Sequence, residues 1–169
     1  MGLWQFFGFA FVSLLGTLLH FLYEWTGNRA IVALVSGVNE STWEHMKLLY
    51  FPLLVFALLQ RRFWGEREDF WCVKLRGTLY GLVLIPVLFY TLNGAFGKTP
   101  DFLNISIFFV SAGAVFLWET RRFKKENPCR FSFLALWLLL AIGVLFVVFT
   151  FVSPKIPLFE DPLTGMYGV

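Results

Sequence analysis

Two histidines, His20 and His45, are the whole imidazole complement of this 169-residue chain. Each stands near carboxylates: Glu24 one helical turn beyond His20, and Glu40 and Glu44 just ahead of His45. Imidazole nitrogen and carboxylate oxygen together form a donor set for zinc or another first-row divalent metal. A carboxylate beside such an ion can take a proton from water. The metal reading is therefore His20 and His45 with Glu24 or Glu40 as ligands, leaving Glu44 and Glu40 as the candidates for catalysis. The spacing matches no H-E-x-x-H motif, and the path joining His20 to His45 does not follow from the sequence.

The same residues have a plainer use. Ser41-Thr42-Trp43-Glu44 has the spacing of a helix capping box, and Lys47 is placed to pair with Glu44 three residues earlier. Adjacent residues point about 100° apart on a helix, so Glu44 and His45 need not serve one site. Ser13, Thr17, His20 and Glu24 recur every three or four residues and form a polar stripe. Such stripes also arise as hydrogen-bonded packing between membrane helices. No G-x-S-x-G elbow frames any of the nearby serines, so nucleophilic catalysis has little support.

The elements that must position these groups are membrane helices. The chain is 58% hydrophobic and 20% aromatic, with 22 Phe and a mean hydropathy of +0.70. A soluble domain is typically about 45–50% apolar, and apolar runs of about 20 residues read as membrane spans. The pattern predicts an all-α polytopic bundle of five spans, at about Leu3–Tyr23, Trp43–Leu59, Val73–Leu92, Phe102–Trp118 and Phe131–Val152. The N-terminal run reads as a retained span, because it has no basic n-region and no small-x-small cleavage site. One membrane domain covers 1–152, with a connection at 24–42, and the Pro- and Gly-rich 153–169 forms a tail. Within the connection, apolar Ala30–Gly37 is too short to span and reads as re-entrant or interfacial. Thr99-Pro100-Asp101 offers a helix start. Gly77 and Gly81 form a G-x-x-x-G pair suited to close helix approach.

Ten of the 14 basic residues flank two connections, Arg61–Arg76 and Arg121–Arg130. The positive-inside rule places these in the cytoplasm, with the N-terminus inside and the C-terminus outside a cell membrane. A net charge of +3 distributed in this way does not point to nucleic acid. Cys72 and Cys129 fall on the basic side and read as reduced thiols. Glu119, beside Arg121, Arg122 and Lys124, reads as a solvated, salt-bridged carboxylate.

The run Val38-Asn39-Glu40-Ser41-Thr42-Trp43-Glu44-His45-Met46-Lys47, with Pro52 and the terminal Asp161-Pro162-Leu163-Thr164-Gly165-Met166-Tyr167-Gly168, resembles a family of small multi-pass prokaryotic membrane proteins of unknown function. The resemblance spans nearly the whole chain and implies architecture and location, but no reaction. Three functional expectations stand side by side. The leading one is a metal-assisted hydrolase at the outer interface, acting on a lipid-linked or hydrophobic small molecule. The second is a proton- or cation-coupled transporter with a water path toward Asn104 and Glu119. The third is a scaffold for a second copy or another membrane protein.

Overall fold

A computed structural model of the chain describes residues 2–64, 67–97, 100–125, 129 and 131–169, without the side chains of Trp64 and Asp101. The cap expected at Thr99 and the charges of Glu66, Lys98, Glu126 and Arg130 lie outside the described residues.

Long runs of Leu, Phe, Val and Ala satisfy their backbone groups internally only as helices, the form an apolar solvent demands. Among the described residues five long helices result: α1 (Gly2–Trp25), α3 (Thr42–Trp64), α4 (Phe70–Phe96), α5 (Asp101–Phe123) and α6 (Ser132–Phe151), with the short α2 (Ala30–Ala33) between the first two. The protein is a polytopic all-α membrane protein. Four of its helices, α1, α4, α5 and α6, are long and apolar enough to cross a bilayer. Their outward faces carry exposed Leu14, Val83, Leu117 and Val144, suited to contact with lipid.

The fifth long helix, α3, has 23 residues but is the more polar one, with Glu44, Lys47, Gln60, Arg61 and Arg62. It packs against each of the other four long helices. Its Leu48, Leu49, Tyr50, Leu53, Phe56 and Ala57 are all buried. Neighbouring helices, rather than lipid, supply most of its surroundings. Pro52 and Pro86 sit inside α3 and α4 without ending either helix.

Gly77 and Gly81 do bring α4 close to a neighbour, and that neighbour is α5. A Cβ on Gly81 would lie 2.5 Å from Val115 Cγ2, and one on Gly77 would lie 3.1 Å from Glu119. The closeness corrects the reading of Glu119. Its carboxylate is not solvated among the arginines but 1% exposed, with Oε2 2.7 Å from Lys74 Nζ. Lys74 lies at the same helix end, one turn from Gly77, so the small residues that admit α5 also admit its carboxylate.

The cysteine reading is also corrected: Cys72 and Cys129 are joined as a disulfide. Cys72 lies in the first turn of α4 and Cys129 in the connection between α5 and α6. Their Cα atoms are 6.3 Å apart, within the range a disulfide spans.

The tail is docked rather than loose. A short 3-10 turn, Pro157–Phe159, buries Phe159 against Trp43, with ring centroids 4.6 Å apart. Asp161 then closes a tight turn. Its Oδ1 accepts from Leu163 N at 2.9 Å and its Oδ2 from Thr164 Oγ1 at 2.7 Å. Gly168 has φ +67°, and a Cβ there would lie 2.7 Å from Thr150 O and 2.6 Å from Ser153 Oγ. Both the handedness and the space demand glycine. Gly168→Val should therefore release the last residues from α6. Limited carboxypeptidase digestion of the variant should run past Tyr167 under conditions in which the native tail resists. Equal digestion of both proteins would show that the docking is not held by this residue.

Candidate metal centre

The ends of α1, α4 and α6 and the starts of α3 and α5 meet at one end of the bundle, the end opposite the basic connections. Here α1 stops at Gly27 and Asn28, both with positive φ (72° and 58°), and the chain doubles back. The connection is then clamped along the last two turns of α1. The Ser36 hydroxyl donates to Leu19 O and accepts from Tyr23 N at 3.1 Å. Gly37 N donates to Leu19 O at 3.3 Å. The apolar 30–37 stretch is the single turn of α2 and a return along α1.

This return lays Glu40 over His20. Asn39 orders the next step: its Oδ1 accepts from Ser41 N at 3.0 Å, and its Nδ2 donates to Gly168 O of the docked tail at 3.0 Å. Ser41 then opens α3, accepting Glu44 N on its hydroxyl at 3.4 Å and His45 N on its carbonyl at 3.2 Å. His45 emerges on the face toward α1. The two imidazoles, with ring centroids 5.7 Å apart, therefore meet.

Glu40 lies between them. Its Oε1 is 3.6 Å from His20 Nε2 and its Oε2 is 3.6 Å from His45 Nε2. That is too long for a direct hydrogen bond. Two donors bound to one tetrahedral ion at about 2.1 Å stand about 3.4 Å apart. One ligand atom from each of His20, Glu40 and His45 can be chosen so that all lie within 4.8 Å of one another. All three side chains are partly exposed, so an ion can reach them: 29% for each histidine and 41% for Glu40.

The protonation of His45 follows from its other nitrogen. Nδ1 lies 3.0 Å from Ser41 O, and a carbonyl oxygen can only accept, so Nδ1 carries the proton. In the neutral ring Nε2 is then the lone pair facing Glu40. A ligating histidine is commonly oriented by such a bond from its second nitrogen.

The other two sequence candidates lie elsewhere. Glu24 is exposed, one turn past His20, and is not in the cluster. Glu44 is 2% exposed and turned into the bundle. Its Oε2 is 2.5 Å from Lys47 Nζ and accepts from Val38 N at 3.1 Å, while Thr150 Oγ1 lies 3.0 Å from Oε1. Lys47 Nζ also donates to Ala33 O at 3.0 Å and to Thr150 Oγ1 at 2.8 Å. The capping box is thus half formed: Ser41 caps Glu44 N, but the Glu44 carboxylate goes to Val38 and Lys47. Through these contacts Glu44 ties α3, α6 and the connection together. The 100° divergence of Glu44 from His45 is the signal that separates them. Thr150 carried no such signal, since only tertiary folding brings α6 to this point.

Beside the histidines lies a cavity of about 170 Å³, lined by Gly16, Thr17 and His20 of α1, His45 and Leu48 of α3, and Ile105 and Phe108 of α5, among others. A smaller one of about 30 Å³ touches Glu40, Thr42, His45 and Asn104. Tyr90 of α4 is 41% exposed and lines neither.

Fold and site together define a class: a polytopic helical membrane protein with an imidazole–carboxylate cluster where the helix ends converge. Within that class, the chain belongs to a family of unknown function, DUF6512, which matches residues 1–169. No curated protein and no solved structure matches it.

Proposed function

We propose that His20, Glu40 and His45 bind a divalent metal ion such as zinc and that the protein is a metal-assisted enzyme of the hydrolase type. The observation that carries this reading is the Ser41 carbonyl on His45 Nδ1, which turns the second nitrogen toward Glu40 and His20. Three protein ligands with a fourth position left for water are the pattern of catalytic zinc sites. Such an ion lowers the pKa of its water to about 7. The Glu40 oxygen that does not ligate is then the nearest carboxylate to take the water's proton.

The same reading makes α3 a fifth span, shielded by its neighbours, and sets the site at the outer face of a cell membrane. The N-terminus is inside and the C-terminus outside, in keeping with the basic residues at the opposite end; the Cys72–Cys129 disulfide at that basic end weighs the other way, since cytoplasmic thiols are ordinarily kept reduced. The transporter reading has less support. Between the two ends lies an apolar core of Val12, Leu49, Leu53, Ile85, Ala112 and Val115.

Elemental analysis of detergent-purified protein tests the proposal. Near-stoichiometric metal is expected in the native chain, and its loss in both His20→Ala and His45→Ala with helical content unchanged. A native chain that holds no metal after zinc and manganese have been supplied would overturn it.

A further inference from the structure

The larger cavity is apolar except at one end. Its polar end is the pair of imidazoles, and its body is Gly16, Leu48, Phe108 and neighbouring rings. Thr17 adds little polarity, because its hydroxyl is spent on Ser13 O at 2.8 Å. Leu48 and Phe108 are buried and form the floor. Phe21, Phe109 and Ile105, at the rim, are 42%, 37% and 60% exposed on the outward faces of α1 and α5. The cavity therefore opens sideways between α1 and α5, onto the surface that lipid covers. Gly16 sets its depth: a Cβ there would lie 2.4 Å from Phe108 Cζ. From His20 to Gly16 the slot runs one turn, about 6 Å, toward the middle of the bundle. Whole small-molecule sites usually occupy about 300–1,000 Å³, so about 170 Å³ receives only part of a ligand.

We infer that this cavity is a lateral slot for the first methylenes of a lipid acyl chain, so that the substrate class of the metal site is a membrane lipid with an ester at the junction of chain and headgroup. In a bilayer that junction lies at the interface, where the histidines end the slot. A chain entering between α1 and α5 sets its carbonyl carbon beside His20 and His45. Hydrolysis there adds water across the ester: the acyl carbon–oxygen bond breaks, and a fatty acid and an alcohol leave. No redox partner is required. The substrate assignment rests on the metal reading, but occupancy of the slot does not.

The test uses full-length protein in phosphatidylcholine–phosphatidylglycerol vesicles containing a phosphatidylcholine with a diazirine near the carboxyl end of one chain. After irradiation, labelled peptides are mapped by mass spectrometry and metal content is measured on the same sample. Label is expected on Leu48 and Phe108 in excess of lipid-facing Leu138 and Leu145 on α6. Ile105→Trp, and separately Phe109→Trp, should lower the slot label by about tenfold, the loss for two methylenes kept out. In these variants metal content and α6 labelling should hold. Slot label no higher than that on α6, or unchanged in both tryptophan variants, would overturn the slot while leaving the metal reading intact. Slot label that persists in a protein without metal would overturn the hydrolytic assignment and establish lipid binding alone.

Discussion

Glu40→Ala should weaken zinc binding by at least about a hundredfold, whereas Glu44→Leu should leave the metal in place and cost stability. The two glutamates lie four residues apart and look equivalent in the sequence. In the structure Glu40 offers one oxygen to each histidine at 3.6 Å, and Glu44 answers the buried Lys47 ammonium at 2.5 Å. Removing even an outer partner of a metal site typically costs 10–100-fold in affinity, and a ligand costs at least as much. Removing one member of a buried ion pair strands the other, at about 3–5 kcal/mol. Zinc titration calorimetry and thermal unfolding in detergent, run on both variants, separate these roles. The titration should also depend on pH with a definite sign. An imidazole binds metal only when neutral, so protons compete and zinc affinity should fall as pH falls. Retained zinc in a folded Glu40→Ala, with loss in Glu44→Leu, would reverse the two assignments.

The second large effect is expected at the basic end. Lys74 Nζ, 2.7 Å from Glu119 Oε2, also lies 5.5–5.9 Å from the ring centroids of Phe56, Phe70, Phe116 and Phe123. Both charged groups are almost wholly buried. Lys74→Met and Glu119→Leu should each destabilise by about 3–5 kcal/mol, since each leaves a buried charge without its counter-ion. The double variant should recover most of that loss, because two apolar side chains have no charge to desolvate. The coupling is read from a double-mutant cycle on unfolding in detergent. Additive losses would mean that the ammonium and carboxylate are not partners. Near-neutral single variants would mean that water reaches the pair.

Helix content was legible because it depends on local composition. A run of Leu and Phe long enough to cross a bilayer has one backbone solution, so the helices appear where the hydropathy rises. Helix ends followed local chemistry as well, as at Ser41, where the hydroxyl caps Glu44 N. Charge partners were less legible. Glu119 is flanked in sequence by Arg121 and Arg122, but helical geometry turns neighbours to different faces. Its partner, Lys74, comes from another helix and 45 residues away. The cysteines misled for a similar reason: their chemistry depends on distance, and only the tertiary structure brings Cys72 at the start of α4 and Cys129, between α5 and α6, to a Cα separation of 6.3 Å.

By itself, then, the sequence determined the medium and the elements: an all-helical chain for an apolar solvent, with its cations gathered at one end and both histidines at the other. These follow from hydropathy and charge, which each residue carries wherever it sits. The tertiary structure alone decided which carboxylate lies between the histidines. The clamp of Ser36 on α1 sets Glu40 between the rings, and the helical turn after Ser41 sends Glu44 inward to Lys47. It alone opened an apolar slot between α1 and α5, because a cavity is a relation among surfaces that no single stretch of chain contains. Contact between groups far apart in sequence is settled by packing, where close approach at a few glycines decides which side chains can meet.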